Sequence, residues 1–287
     1  MKVSYYREET VREFMKKLRA GEEEEAKKVK ESDAVCISAR FSRIAKQMRQ
    51  FSVTPHFIQV YESKDIKNFI EKIPILTTRF NELSPFQRKY NHITFMELFD
   101  TDMTAFLTKK KYDDDFLRTF IFQVVFSIAS AQRMIQGWRH NDLSTNNVLT
   151  KKVPRMAAKY DVDGKQFFTS WERSVVIIDY DFVHADIPRL DNQRVRSGHF
   201  KVLPDRNVSY DTHFFLKSVM KCLSKNTVSK SDLTGKFLQS LHLQQNDRHD
   251  TEIKMLDPLE ILKHLYFEPL ATAIPVDKTY KLPPIAA

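Results

Sequence analysis

Glycine is scarce in this 287-residue chain: five in all, at Gly21, Gly137, Gly164, Gly198 and Gly235, and none between Gly21 and Gly137. A G-x-G-x-x-G turn, a common backbone cradle for nucleotide phosphates, is therefore excluded. Two cysteines, Cys36 and Cys222, are too few for a disulfide framework, so a reducing interior compartment is the default expectation. The chain has no run of about 18 apolar residues, which excludes an ordinary membrane-spanning helix. Its opening residues, MKVSYYREETVREF, lack the apolar stretch of a secretion signal. Repeats and low-complexity tracts are missing as well.

What is present describes a folded globular protein: 42% hydrophobic and 12% aromatic residues, with 22 phenylalanines to build an aromatic-rich core. The formal net charge of +9 favours acidic partners such as phosphate esters, nucleic acid or acidic proteins. That charge is spread along the chain and accompanies no recognition motif, so specific nucleic-acid binding is not expected.

Residues 7–31 are dense in helix formers with alternating acidic and basic blocks, which predicts a solvated helix pair broken at Gly21. DAVCISA (33–39) reads either as a short strand or as the start of the next helix. Phe41, Ile44, Met48 and Phe51 have helical spacing, and Pro55 follows them. HFIQVYES (56–63) and HITFMELFD (92–100) read as strands, separated by a polar insertion containing Pro74 and Pro85. The stretch 112–136 predicts a buried helix that opens on Asp113, Asp114 and Asp115 and closes at Gly137. Two short strands flanking Asp163-Gly164 predict a hairpin, and further helices are expected over 210–223 and 257–267. The order is a strand-bearing first part and a mostly helical second part, joined near Asp100.

The chemistry concentrates in RHNDLSTNNVLT (139–150), where His140, Asp142 and Asn147 fit H-x-D-x-x-x-x-N. A buried-strand pattern, VVIIDYDF (175–182), follows and ends in Asp179. Phosphoryl transfer needs a carboxylate to orient the attacking hydroxyl, a role that suits Asp142. It also needs hard oxygen ligands for Mg²⁺, which suits Asp179 and the amide oxygen of Asn147. The bland reading is that Asp142 and Asn147 only bond turn backbone, as such residues often do.

These two elements together resemble the catalytic core of the protein kinase-like superfamily. The resemblance spans roughly residues 50–270 and is closest to serine/threonine kinases of large double-stranded DNA viruses, through YDTHFFL and the acidic DYDF motif. It implies an α+β, bilobal fold. A reduced N-lobe would occupy residues 1–100. A mainly helical C-lobe would occupy 101–287, with catalytic loop 140–147, hairpin insertion 158–174 and metal motif 179–181. It implies ATP and Mg as cofactors, with Asp142, Asn147 and Asp179 catalytic and Asn147 and Asp179 on the metal. Met96 would take the gatekeeper place, and Glu97, Leu98 and Phe99 would run along the adenine edge. Asp211 would hold the catalytic-loop backbone, and His140 would be scaffold.

The sequence departs from that pattern in several places. No V-A-I-K strand is visible; Arg40 stands where its lysine is expected, with Lys28, Lys30 and Lys46 as other candidates. The helix over 40–51 has no acidic residue to pair with such a lysine. Asn141 replaces an arginine, which argues against activation by a phosphorylated loop. Ser144 replaces a lysine, and Asp181 stands in place of a glycine.

The leading expectation is an ATP- and Mg-dependent protein kinase acting on serine or threonine of protein substrates; the short, basic segment between Asp179 and Asp211 reads either as a solvated loop or as favouring acidic substrates. The protein would reside in a cytoplasmic setting, the host cytoplasm or virion if viral. A pseudokinase serving as a binding or scaffolding module is the first alternative. A small-molecule phosphotransferase of the aminoglycoside or choline kinase type is the second.

Overall fold

The computed structural model describes residues 2–69, 85, 89–198, 207–226, 232–243, 255 and 257–284. The fold is α+β. Its elements run β1 (Lys2–Tyr5), α1 (Glu8–Arg19), α2 (Glu23–Glu31), α3 (Ala34–Gln50), β2 (Val60–Lys67), β3 (Tyr90–Met96), β4 (Thr101–Asp102), α4 (Met103–Lys109) and α5 (Asp114–Met134). They continue with β5 (Val148–Val162), β6 (Lys165–Ile177), α6 (Gln193–Arg196), α7 (Tyr210–Lys225), α8 (Asp232–Ser240), α9 (Pro258–Leu262) and β7 (Lys278–Lys281).

Among the described residues, two sheets organise the chain. The first has order β1-β3-β2, antiparallel throughout, with Lys2 opposite Thr94 and Val60 opposite Met96. The second has order β4-β5-β6, with β7 parallel to β5. The first sheet draws only on residues before Asp100 and the second only on residues after it. Residues 56–58 join them: Phe57 bridges Ile177, and Ile58 N–H donates to the Ile177 carbonyl at 3.1 Å.

The helix pair at 7–31 forms as expected, with Gly21 at φ +76° in the turn between its members. The ambiguous run 33–39 is helical, and the cause is a cap. The Asp33 carboxylate accepts from Val35 N–H at 3.0 Å and from the Thr10 hydroxyl at 2.7 Å, so it is anchored on both sides while starting α3. Asp113 caps α5 in the same way, and Asp257 with Glu260 forms a capping box on α9.

Four expectations need correction. The strands near 56–63 and 92–100 are shifted, because 56–58 lie along the end of β6 instead of in the first sheet. The hairpin is not a pair of short strands over 158–174; β5 and β6 are 15 and 13 residues long. Its lysine-rich start, containing Pro154, stays in the strand because the register shifts between Lys152 and Met156. The tight turn falls at Asp163-Gly164, whose φ values of 53° and 87° meet the two-residue requirement. The second part of the chain is consequently less purely helical than expected. The last helix stops at Leu262, and a 3₁₀ segment, Leu265–Ala271, follows with Pro269 inside it. Of the polar insertion, Pro74 lies outside the described residues.

Buried apolar side chains form one continuous cluster from α3 through α5 to the hairpin, with a smaller cluster of Tyr6, Val11 and Val35 under α1. At its centre Phe41 stacks on Trp138 at 5.3 Å and meets Tyr180 edge-on at 4.7 Å. These rings lie directly beneath the two motifs. Among the described residues no helix is long and apolar enough to cross a membrane.

Candidate functional site

The loop after α5 is fixed from below. Arg139 pairs with His184 through two backbone bonds of 2.9 and 3.0 Å. Asp211, fully buried near the start of α7, accepts His140 N–H at 2.6 Å and Asn141 N–H at 2.8 Å, one on each oxygen. Burial pushes the Asp211 carboxyl above its ordinary value, opposed by His140 and these two N–H bonds. The expected holding role of Asp211 is what these contacts describe. His140 is also fully buried and spans to the Ile178 carbonyl at 2.8 Å, which makes it scaffold. Asn141 sits at φ +65°, a conformation asparagine tolerates, and its side chain donates to the Phe182 carbonyl at 2.9 Å.

Asp142 and Asn147 meet at the mouth of the loop. The Asn147 amide nitrogen donates to the Asp142 carbonyl at 2.7 Å and to the Asp142 carboxylate at 3.1 Å. An amide whose NH₂ end faces Asp142 leaves its carbonyl oxygen as the group able to ligate a cation. The intervening turn is pinned by Thr145, whose N–H donates to the Ser218 hydroxyl at 3.0 Å. Asn146 is exposed. The Asn147 carbonyl accepts Ile178 N–H at 2.9 Å, which sets the loop beside Asp179.

In the DYD motif the middle residue is the anchor. Tyr180 is buried, donates to the Ile177 carbonyl at 2.7 Å, and accepts Ile58 N–H at 3.3 Å. Asp179 adopts φ +65°, ψ +72° and opens a 3₁₀ turn over Tyr180–Phe182. With Tyr180 inward, the flanking carboxylates converge on one cation, the Lys2 ammonium, at 2.7 Å from Asp179 and 2.9 Å from Asp181. Burial acts to lower the Lys2 value, but Asp181 and Asp179 outweigh it and hold the ammonium above its usual range. Burial likewise acts to raise Asp179, yet Lys2 outweighs it and keeps the carboxyl below the usual carboxylate range.

Lys2 is the cation at this candidate site that sequence reasoning missed. The candidates named for its role lie elsewhere. Lys28 pairs with Glu25, Lys30 with Asp65, and Arg40 with Glu31, while Lys46 is exposed. The only local signal was the alternation in KVSY, too short to mark a strand; β1 exists because it pairs with β3 some ninety residues away.

A cavity of about 260 Å³ opens between the first sheet, α3 and the DYD turn, lined by Lys2, Ser38, Ser42, Met96 and Asp179 among others. Met96 thus shares a cavity with Asp179. The remaining residues expected along the adenine edge do not line it. Glu97 turns its carboxylate to Arg49 at 3.1 Å and Lys151 at 3.3 Å, and its N–H donates to the Gln59 carbonyl at 3.0 Å. Leu98 is 87% exposed, and Phe99 packs on the core beneath the Lys151 ammonium. The segment is therefore tied at Glu97 and Asp100, with Leu98 open to solvent between them.

The donor set suits a hard divalent cation: two carboxylates that already converge on one positive charge, and an amide oxygen on the loop beside them. Among the described residues no group of three or more His, Cys, Asp or Glu side chains is gathered for a metal. A cation here would therefore take further ligands from phosphate and water, as Mg²⁺ does.

No protein-family model matches the chain. The chain is 28% identical over 128 residues to an Acanthamoeba polyphaga mimivirus protein named "Putative serine/threonine-protein kinase". The match covers 39% of this chain and 27% of that protein, so it spans about a quarter of the relative's length. It supports a kinase-like relationship, with which the α+β architecture is compatible.

Proposed function

We propose that this chain is an ATP- and Mg²⁺-dependent protein kinase that phosphorylates serine or threonine hydroxyls, with residues 1–100 as a reduced N-lobe and 101–287 as C-lobe. The observation that carries this reading is the joining of the two motifs. The Asn147 side chain is clamped on Asp142 while its backbone carbonyl holds Ile178, next to Asp179. Bound Mg·ATP would supply the phosphoryl group and neutralise the charge that develops on transfer. Asp179 and the Asn147 carbonyl oxygen would hold the cation, and Lys2 would face the phosphates from β1.

Asp142 would accept a hydrogen bond from the substrate hydroxyl and orient its oxygen toward the γ-phosphorus. As the new O–P bond forms, the bond to the β–γ bridging oxygen breaks and ADP departs. The hydroxyl proton goes to the Asp142 carboxylate. The basic net charge fits acidic protein substrates.

Transfer from radiolabelled ATP to acidic and basic test proteins checks the reading. Asp142→Asn should lower transfer by about 10²- to 10⁴-fold, the usual worth of a positioned base. Transfer that does not depend on Asp142 would rule the assignment out. A pseudokinase reading draws on one observation, the Lys2 ammonium seated on both DYD carboxylates. It predicts nucleotide or partner binding with no Asp142-dependent transfer.

A further inference from the structure

We propose that Asp181 is the positioning residue for Lys2, taking over the task that an acidic residue on α3 would otherwise perform. The proposal rests on the kinase reading of this site, and it starts from an absence. The 17 residues of α3, AVCISARFSRIAKQMRQ, include no aspartate or glutamate. Two of them, Ser38 and Ser42, are one helical turn apart and line the same cavity as Lys2. The Ser42 hydroxyl donates to the Ser38 carbonyl at 2.8 Å, so that face of the helix turns an uncharged, self-bonded pair toward the lysine. A lysine is a flexible point charge on a four-carbon stem, and its ammonium keeps one position only if an anion fixes it.

That anion comes from the DYD turn. Asp181 occupies the position where the resemblance has glycine, a residue that could not supply a carboxylate. Tyr180 is buried against Phe41 of α3, which aims residues 179 and 181 to the same side. Asp181 Oδ1 then reaches Lys2 Nζ at 2.9 Å. Two carboxylates on one lysine permit a division of labour. Asp179 can turn to a metal ion while Asp181 keeps hold of the ammonium.

Asp181 is itself held by the segment that follows. Its carbonyl accepts from the buried Asn192 side chain at 3.0 Å, and its second carboxylate oxygen lies 3.9 Å from Arg194. Asn192 also bonds the Val183 carbonyl at 2.9 Å, and Arg194 lies over the Phe182 ring at 4.6 Å. Lys2 is therefore coupled through Asp181 to residues 192–194. A shift of that segment would move the anchor and with it the lysine.

The test compares the 287-residue chain with Asp181→Asn, Asp181→Glu, and the two repair variants Asp181→Asn/Ser38→Glu and Asp181→Asn/Ser42→Glu. One readout is independent of turnover: the rate at which an amine-reactive acetylating reagent modifies Lys2, followed by peptide mass spectrometry. Asp181→Asn should raise that rate several-fold, Asp181→Glu should not, and at least one repair variant should bring it back. In kinetics, Asp181→Asn should raise KM for ATP by about tenfold, a loss of ground-state binding worth about 1.4 kcal/mol. Its kcat should change far less, and the repair should recover KM. Unchanged Lys2 labelling in Asp181→Asn overturns the proposal, as does failure of both helix glutamates to restore it. Absence of any phosphoryl transfer by the wild type sinks the kinase reading instead, while the labelling still decides whether Asp181 anchors Lys2.

Discussion

Asp211 offers the sharpest link between packing and the candidate catalytic loop. Its two oxygens each accept one backbone N–H, from His140 at 2.6 Å and Asn141 at 2.8 Å, in a pocket without solvent access. Asp211→Ala leaves both donors buried and unpaired. Each orphaned group costs about 1–3 kcal/mol, so the variant should be about 2–6 kcal/mol less stable. That is a large share of the roughly 5–15 kcal/mol typical of a folded domain. Asp211→Asn keeps the shape but can accept only one of the two bonds, and its own NH₂ would face the other donor. Roughly half the alanine cost is expected for it. Urea unfolding followed by tryptophan fluorescence gives the global number. Hydrogen exchange at the His140 and Asn141 amides gives the local one, and both amides should exchange faster in each variant. A loss below about 1 kcal/mol for Asp211→Ala, or unchanged exchange at both amides, would show that Asp211 does not hold the loop.

Two further predictions concern the scaffold. His56 is buried between the Val175 carbonyl at 3.0 Å and the Tyr160 hydroxyl at 2.8 Å, and burial holds its value down at about 3. The unfolded chain takes up this proton below about pH 6.5 while the native state refuses it, so stability should fall as pH drops from about 6.5 toward 3. The loss through this group is about 2 kcal/mol at pH 5 relative to pH 8; His56→Gln should flatten that slope, and an identical slope in the variant refutes it. Gly137 sits at φ +65°, and a Cβ there would fall 2.0 Å from the Asp186 carboxylate. Because that side chain can swing away, the backbone term should dominate. Gly137→Ala should cost about 1–2 kcal/mol in thermal unfolding and Gly137→Ala/Asp186→Ala nearly as much, whereas full recovery in the double variant would point to the clash instead.

Legibility in the sequence followed the range of the interactions responsible. The buried helix α5 and the turn at Asp163-Gly164 were readable because periodicity, first-turn acids and positive-φ preferences are all local. The run 33–39 was ambiguous because its decisive contact joins Asp33 to Thr10 on another helix, 23 residues away. The length of β5 was hidden because Pro154 and a lysine-rich stretch read as loop, while pairing with β6 across a register shift keeps them in the sheet.

The site divides in the same way. The sequence by itself determined the polar constellation: Asp142 and Asn147 on one loop, Asp179 at a strand end, and Asp211 near the start of a helix. Spacing within a short segment restricts what those residues can reach. Only the tertiary structure decided that Lys2 is the cation seated on Asp179, that Ser38 and Ser42 of α3 line the cavity beside it, and that Asp181 reaches the same ammonium. The physical reason is that an ion pair spanning 177 or 179 positions leaves no mark in local pattern. It exists because β1 adds to the edge of β3 and Tyr180 buries itself against Phe41, which turns two carboxylates toward one lysine.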